Sequence, residues 1–206
     1  MHPHLTRRGL YAISDGPRPD LLSAVKAVLH GGAALLQYRD KTTDSARRAF
    51  EARALRELCA RFEVPFIVND DVELALAVAA DGVHLGEDDS AVAAARARLG
   101  AGVIIGASCY DSLARARQLA AAGADYLAFG AFFSSPTKPN ARRATLDLLS
   151  EAKPLGLPLV AIGGITPDNA RPLVEAGADF LAAISGVFTQ ADPEVAARRY
   201  AALYKN

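Results

Sequence analysis

Residues 121–130 read AAGADYLAFG and residues 175–185 read EAGADFLAAIS, so the chain uses the same helix end, glycine turn and apolar strand twice. Residues 78–86 (VAADGVHLG) and 30–38 (HGGAALLQY) are looser versions of this unit. A unit that passes from a helix through a tight turn into a buried strand is typical of alternating α and β elements. The repeat therefore predicts a parallel sheet with helical crossovers.

Eight short apolar runs extend this pattern over the whole chain, at LYAIS, ALLQY, FIVN, GVHL, VIIGAS, YLAFG, LVAIGG and FLAAIS. Continuous apolar runs indicate strands that are buried on both faces. Helical spacing separates them, with one apolar face at Leu21, Leu22, Val25, Val28 and Leu29 and another at Phe50, Ala54 and Leu58. Eight such units predict a (β/α)8 barrel in which residues 1–206 form a single domain, and a doubly wound open sheet is the alternative.

Capping residues stand where these helices should begin, at Asp20, Asp44, Asp111, Thr166 with Pro167, and Asp192 with Pro193.

Charge and cysteine content restrict the class of partner. The 23 basic and 23 acidic residues balance, so we expect no general attraction to nucleic acid or to an anionic membrane. Cys59 and Cys109 lie far apart without metal-ligand spacing, which favours buried thiols over a disulfide framework or a zinc site. Neither a signal peptide nor an apolar run of membrane-spanning length is evident. We expect a cytoplasmic protein that acts on small molecules, and the helix faces show no stripe that would fix an oligomeric state.

Polar residues follow the predicted strands, and QYRDK at residues 37–41 is the clearest case. In a (β/α)8 barrel the carboxyl ends of all strands meet at one rim, where active sites are built. The predicted rim set is Gln37, Arg39, Lys41, Asn69, Asp70, Asp88, Asp89, Ser108, Ser134, Ser135, Thr137, Lys138, Gly163, Gly164, Ser185 and Gly186.

Several of these residues also have a purely structural interpretation. Arg39 and Lys41 would serve equally as a solvated loop pair, and Asp71, beside Asp70, is expected to cap a helix. His84 lies inside an apolar strand and is expected to be a hydrogen-bonded core histidine rather than a ligand or base. The structural interpretations would all have to hold at one rim, which favours a functional site there.

The residue types at this rim suit phosphate chemistry. Arg39, Lys41 and Lys138 offer positive charge, and Asp70 and Asp89 are hard oxygen ligands of the kind that hold Mg²⁺ beside phosphate oxygens. The glycine loops AIGGIT and AISGV are expected to bind a second phosphate through backbone N–H groups. A diphosphate held in this way is a stabilised leaving group, and the sequence offers no evident nucleophile for covalent catalysis.

With these motifs the sequence resembles the thiamine-phosphate synthase family over nearly its whole length. The matching pieces are QYRDK, VNDDVELALAVAADGVHLGEDD, GAS, PTK, AIGGITPDNA and AISGV. The resemblance implies a (β/α)8 transferase of thiamine biosynthesis. It would couple 4-amino-2-methyl-5-hydroxymethylpyrimidine diphosphate with hydroxyethylthiazole phosphate, by a dissociative, Mg²⁺-assisted substitution that gives thiamine phosphate and pyrophosphate.

The resemblance also implies the roles of single residues. The pyrimidine diphosphate would be bound by Gln37, Arg39, Lys41, Asn69, Ser108 and Lys138, of which Arg39, Lys41, Ser108 and Lys138 are the catalytic candidates. Mg²⁺ would be held by Asp70 and Asp89. The thiazole phosphate would contact Ser135, Thr137, Gly164, Ile184 and Ser185. Ser134 and Ser135 stand where the family commonly has proline and threonine.

Two alternatives stay open at this point. A thiazole tautomerase is a related barrel that would need neither the diphosphate cations nor the metal ligands. A phosphate-binding barrel without catalytic activity would bind its ligand but would not turn it over. The acceptor is also open between the plain and the carboxylated thiazole phosphate.

Overall fold

A computed structural model describes residues 2–86, 91–134 and 143–205 of the chain. Within these ranges eight parallel strands close into a barrel in sequence order, with β1 paired to β8. The strands are β1 (Gly9–Ile13), β2 (Leu35–Tyr38), β3 (Phe66–Asn69), β4 (Gly82–Leu85), β5 (Ile104–Tyr110), β6 (Tyr126–Phe129), β7 (Leu159–Ile162) and β8 (Phe180–Ala183). The closed barrel confirms the predicted fold and excludes the open sheet.

Helices follow the strands and cover the outside of the barrel. They are α1 (Leu21–His30), α2 (Ser45–Arg61), α3 (Val72–Ala77), α4 (Ala91–Leu99), α5 (Leu113–Ala121), α6 (Leu146–Ala152), α7 (Arg171–Ala176), α8 (Ser185–Phe188) and α9 (Pro193–Ala202), with 3-10 turns at Pro3–Leu5 and Lys153–Leu155. In the part of the chain that is described, none of these helices is long and apolar enough to cross a membrane.

The core has two layers because the side chains of each strand alternate in direction. One layer packs the outer faces of the strands against the helices. The other fills the barrel with inward side chains, among them Tyr11, Ile67, Tyr126 and Phe180. The strands are almost entirely buried, as their apolar runs predicted.

The buried face of α2 differs from the predicted one. Phe50 is 71% exposed, whereas Ala52, Leu55 and Cys59 are buried against the barrel. Arg48 lies on the same face, since it is four positions before Ala52, and it pairs with Asp71 at 2.8 Å. An apolar count could not assign an arginine to the buried face, so the prediction chose the neighbouring stripe. Leu22 of α1 is likewise exposed rather than buried.

Some of the predicted capping residues cap their helices and others do not. Asp44 and Asp192 cap α2 and α9 as expected. The side chain of Asp20 makes no cap hydrogen bond and pairs with Arg18 instead. Because β5 extends to Tyr110, the residue that caps α5 is Ser112 and not Asp111.

The Thr166–Pro167 pair does not start a helix. The Thr166 backbone N–H donates to the Asn169 side chain at 2.8 Å, and the Asn169 N–H returns to the Thr166 carbonyl. These two hydrogen bonds close a turn of the kind that asparagine side chains favour. Helix α7 therefore begins only at Arg171, and Pro172 is the proline of its first turn.

Candidate active site

The rim at the carboxyl ends of the strands brings together the predicted residues that lie within the described ranges, except Gln37, which is buried in the barrel interior. Asn69 ends β3, Ser108 lies near the end of β5, and Arg39 and Lys41 follow β2. Gly164 follows β7, and Ile184 with Ser185 follows β8. Asp88, Asp89, Ser135, Thr137 and Lys138 lie outside the described residues, so their predicted roles stay predictions.

The loop that carries Arg39 and Lys41 is anchored by the residue between them. The Asp40 side chain is fully buried and accepts from the Thr42 backbone N–H at 2.7 Å. Asp40 Oδ2 also pairs with the Arg47 guanidinium at 2.7 Å and accepts a longer hydrogen bond from the Tyr38 hydroxyl at 3.4 Å. Burial alone would raise the pKa of the Asp40 carboxyl, but the hydrogen bonds from Thr42 and Arg47 hold this pKa below its usual value. The Asp40 carboxylate therefore fixes the loop that carries Arg39 and Lys41.

Ser14, at the end of β1, holds the same loop from the other side. Its hydroxyl accepts from the Arg39 N–H at 2.8 Å and donates to the Arg39 carbonyl at 3.3 Å. The backbone of Arg39 is thus fixed on both sides. The Arg39 guanidinium and the Lys41 ammonium form no ion pair with any residue in the described ranges. Two rim cations that no described carboxylate neutralises are suited to an anionic ligand.

Asp70 presents a carboxylate at the end of β3. Its backbone adopts a positive φ of 60°, which is uncommon for a residue other than glycine, and its N–H donates to the His84 carbonyl at 2.8 Å. The Asn69 side-chain amide donates to Asp70 Oδ2 at 2.7 Å. The left-handed turn places the exposed carboxylate beside Gly86 at the start of the β4 loop. Asp71 caps α3 as predicted, so the two adjacent aspartates have different roles.

The Asp70 carboxylate alone is not a complete metal site. Within the described ranges no three His, Cys, Asp or Glu residues cluster in a way that could hold a metal ion. The hard oxygen donor nevertheless suits Mg²⁺, which commonly uses one or two carboxylates and takes its other ligands from substrate phosphates and water. The donor type therefore fits the expected cation.

A chain of hydrogen bonds crosses the barrel interior beneath this rim. Gln37 Nε2 donates to the Tyr11 hydroxyl at 2.7 Å, and the hydroxyls of Tyr11 and Tyr126 lie 2.6 Å apart. The Tyr126 hydroxyl is 2.9 Å from His84 Nδ1, and His84 Nε2 is 3.0 Å from Ser108 Oγ. Gln37 and Ser108, which were predicted separately, are thus the two ends of one network, called the interior chain below.

Burial sets the protonation of the interior chain. It lowers the pKa of the His84 imidazole to about 4 and raises the pKa of the Tyr11 and Tyr126 hydroxyls. Histidine and tyrosines are therefore neutral at physiological pH. His84 is the hydrogen-bonded core histidine that the sequence suggested, but its contact with Ser108 also connects it to the site.

The loops after β6, β7 and β8 meet on the opposite side of the rim. Gly164 has a positive φ of 62°, and a Cβ atom there would lie 2.4 Å from the Ser134 carbonyl oxygen. The Tyr200 hydroxyl donates to the Ile165 carbonyl at 2.8 Å and also lies against Gly186. This contact holds the Gly164 loop next to α8, where Ser185 is exposed. The predicted phosphate-binding residues Gly164, Ile184 and Ser185 are therefore neighbours.

Sequence reasoning did not single out Tyr11, Tyr126, Ser14 or Asp40 as parts of the site. Tyr11 and Tyr126 were counted only as apolar strand residues. A usable signal was the alternation within each strand, since Gln37, His84 and Ser108 share the inward parity. Asp40 stands between Arg39 and Lys41, whose charges suggest a ligand site, so its structural role is not evident in the sequence.

The sequence of the chain matches one protein family. The family model described as thiamine monophosphate synthase matches residues 10–187. The chain is 58% identical over 200 residues to the thiamine-phosphate synthase of Azoarcus sp. (strain BH72), covering 96% of this chain and 97% of that protein. It is 54% identical over 199 residues to the enzyme of that name from Methylobacillus flagellatus, covering 96% and 95%.

A solved structure shows the same likeness in three dimensions. The thiamine phosphate pyrophosphorylase from Pyrococcus furiosus superposes with a TM-score of 0.86 at 34% identity, covering 97% of this chain and 96% of that one. A 3-hexulose-6-phosphate synthase superposes with a TM-score of 0.72 at 17% identity, which shows the barrel fold alone.

Proposed function

The chain belongs to the thiamine monophosphate synthase family, and we propose from this premise how its own residues carry out the family reaction. The protein is a transferase of thiamine biosynthesis that forms thiamine phosphate and releases pyrophosphate. The finer proposal is that residues 1–206 act as one cytoplasmic barrel domain, with a pyrimidine diphosphate and a thiazole phosphate as small-molecule substrates.

The observation that carries this proposal is the pair of rim cations Arg39 and Lys41, which have no ion-pair partner among the described residues although their loop is rigidly anchored. No described carboxylate neutralises either charge, so both charges are available to an anionic ligand. Asp40 and Ser14 hold the loop without neutralising either cation. Such a preorganised arrangement stabilises charge that develops during a reaction.

In the proposed reaction the bond between the pyrimidine methylene carbon and the diphosphate oxygen breaks first. Pyrophosphate leaves with the bonding electron pair, and Arg39 and Lys41 meet the negative charge that it acquires, together with Lys138. The thiazole nitrogen then donates its lone pair to the methylene cation, which forms the new carbon–nitrogen bond. Gln37, Asn69 and Ser108 orient the pyrimidine, so the protein contributes positioning and charge rather than an acid–base pair.

We propose that Asp70 and Asp89 hold Mg²⁺ against the diphosphate. When bound, the ion supplies additional positive charge to the leaving group. The Asn69 amide fixes Oδ2 of Asp70, and Oδ1 accepts no hydrogen bond from the described residues, which supports this role.

The thiazole phosphate is proposed to lie at the other side of the rim. Backbone N–H groups around Gly164, Ile184 and Ser185 would bind it, with hydroxyls from Ser135 and Thr137. The contact of Tyr200 with both loops supports this placement, because it holds Gly164 and Ser185 in one pocket wall.

The test is product formation from purified protein with both substrates and Mg²⁺, with EDTA and each single substrate as controls. Thiamine phosphate should appear only in the complete mixture. Lys41→Ala should reduce kcat/KM about 100-fold by removing a leaving-group cation, while Lys26→Ala, an exposed cation on the outer helix α1, should match the wild type.

Two results would contradict the proposal. Binding of a phosphate compound without any coupling would indicate a binding protein. Conversion of the thiazole phosphate alone, insensitive to EDTA, would indicate a tautomerase.

A further inference from the structure

The interior chain has few hydrogen-bond donors. Their number determines which group donates and which accepts in each of its hydrogen bonds. A neutral tyrosine has one O–H donor, and a neutral imidazole has one N–H donor and one acceptor nitrogen. The primary amide of Gln37 presents its N–H to Tyr11, so the Tyr11 oxygen accepts there. Within the described residues, the other polar partner of the Tyr11 hydroxyl is Tyr126.

The remaining donors follow one after another. Tyr11 donates to Tyr126, since its proton has no other acceptor, and Tyr126 must then donate to His84 Nδ1. His84 with an acceptor at Nδ1 carries its proton on Nε2 and donates it to Ser108 Oγ. The opposite order would leave the Tyr11 proton buried without an acceptor, which costs free energy.

We infer that the interior chain orients the Ser108 hydroxyl so that its proton is offered to the pyrimidine, which makes Tyr11, Tyr126 and His84 positioning residues of the substrate site. This inference rests on the proposed function for the identity of the ligand, but the proton order itself is a property of the free protein. Ser108 accepts from His84, and its own O–H is therefore directed elsewhere.

The same logic connects the two ends of the interior chain. Suppose that the group at position 37 accepted a hydrogen bond from Tyr11 instead of donating one. Each hydrogen bond of the interior chain would then run in the opposite direction. Ser108 would then donate its proton to His84 and could only accept from the substrate. The donor character of Ser108 is therefore set by Gln37 on the far side of the barrel. The connection runs through Tyr11, Tyr126 and His84, whose side chains make no other hydrogen bond to the residues that the structure describes.

Ring packing holds the side chains of the interior chain in place. The Tyr126 ring stacks on His84 with centroids 5.6 Å apart and meets Tyr11 edge-on at 5.8 Å. Gly106 lies directly against the Tyr126 ring, and a Cβ atom there would be 1.8 Å from its Cζ atom. The hydroxyls consequently have little freedom to find other partners.

The direct test is the tautomer of His84, measured by ¹⁵N NMR on the substrate-free protein. The chain has four histidines, and a His84→Gln variant identifies the resonances. The expected result is a single tautomer protonated at Nε2. A His84 imidazole protonated at Nδ1, or a mixture of both tautomers, would overturn the inference. Because no substrate is present, this result does not depend on the proposed function.

Gln37→Glu tests the coupling between the two ends, because a carboxylate accepts but does not donate. Recorded from about pH 6 to about pH 9, a range that allows for a raised pKa of the introduced carboxyl, the spectrum should change from the Nε2–H to the Nδ1–H tautomer as that carboxyl ionises. An unchanged tautomer over the whole range would refute the coupling.

Kinetics then test the consequence for the substrate. Tyr126→Phe interrupts the interior chain and should lower kcat/KM for the pyrimidine diphosphate about tenfold, the loss expected for one misdirected hydrogen bond. The KM for the thiazole phosphate should not change. Tyr204→Phe is the control, since it removes a half-buried hydroxyl that donates to the Ala178 carbonyl away from the rim.

If losing a hydrogen-bonded tyrosine hydroxyl had only a general effect, kcat/KM would fall equally in both variants, and this result would contradict the positioning role. If Tyr126→Phe does not fold, the tautomer measurements on the wild type and on Gln37→Glu still decide the matter.

Discussion

Replacing Gly106 with alanine should destabilise the protein by about 3–5 kcal/mol. The new Cβ would lie 1.8 Å from Cζ and 2.2 Å from the hydroxyl oxygen of Tyr126, whereas carbon atoms in contact lie about 3.5–4.0 Å apart. The ring would have to move by about 2 Å. Overpacking of this kind costs about 1–3 kcal/mol, and loss of the two Tyr126 hydrogen bonds adds about 1 kcal/mol each.

Gly102 offers a matched control four residues earlier in the same β/α unit. A Cβ atom there would meet no other atom within 4 Å, so Gly102→Ala should stay within about 0.5 kcal/mol of the wild type. Thermal unfolding followed by circular dichroism should show Gly106→Ala melting roughly 10 °C lower, at about 2–4 °C per kcal/mol for a chain of this length. Equal melting temperatures for the two variants would refute the reasoning.

A double-mutant cycle identifies the atoms responsible. Tyr126→Leu removes the part of the ring that the alanine would strike, so the penalty for Gly106→Ala should fall by at least half in that background. An unchanged penalty would mean that the glycine is needed for its backbone and not for the space it leaves to Tyr126.

Three further outcomes follow from the site. Asp70→Ala should lower kcat/KM about 100-fold at limiting Mg²⁺ with an unchanged circular dichroism spectrum. The control Glu57→Ala, on the outer face of α2, should leave kcat/KM unchanged. Equal losses in the two variants would argue against a metal-binding role for Asp70. Burial lowers the pKa of His84 to about 4, so between pH 6.5 and 4 the unfolded chain binds a proton that the folded protein does not. The free energy of unfolding should therefore fall as the pH is lowered from 6.5 to 4. An equal dependence of this free energy on pH in His84→Gln would show that other groups cause it. Burial also raises the pKa of the Cys59 and Cys109 thiols to about 12, so a thiol reagent should modify both in denaturant and neither in the native protein; rapid modification of the native protein would contradict this.

The sequence predicted the structure correctly where a local pattern is compatible with only one arrangement of strands and helices. The repeated glycine turn and the buried strands predicted the barrel, and the rule that parallel strands end together predicted that Asn69 and Ser108 would share a rim. The packing of α2 could not be predicted, because the face that packs on the barrel includes Arg48, which pairs with Asp71 of a distant element. Charge pairs across distant elements leave no periodic trace in the chain.

Parts of the site were hidden for a similar reason. Tyr11 and Tyr126 are 115 positions apart, and the contact of their hydroxyls depends on strands meeting across the barrel interior. The polar role of each tyrosine is invisible in its own strand, where the ring simply counts as apolar. Asp40 was missed because its burial depends on Arg47, which reaches back from α2.

Barrel closure has a consequence for synthesis on the ribosome. All five members of the interior chain have been translated by residue 126, yet the edge of β1 pairs with β8, which ends at residue 183. Until that last strand emerges, β1 presents an unpaired edge and the interior remains open to water. A nascent chain therefore contains the five side chains of the interior chain long before they can adopt their final arrangement. The ability to bind and convert substrates should appear abruptly as translation ends.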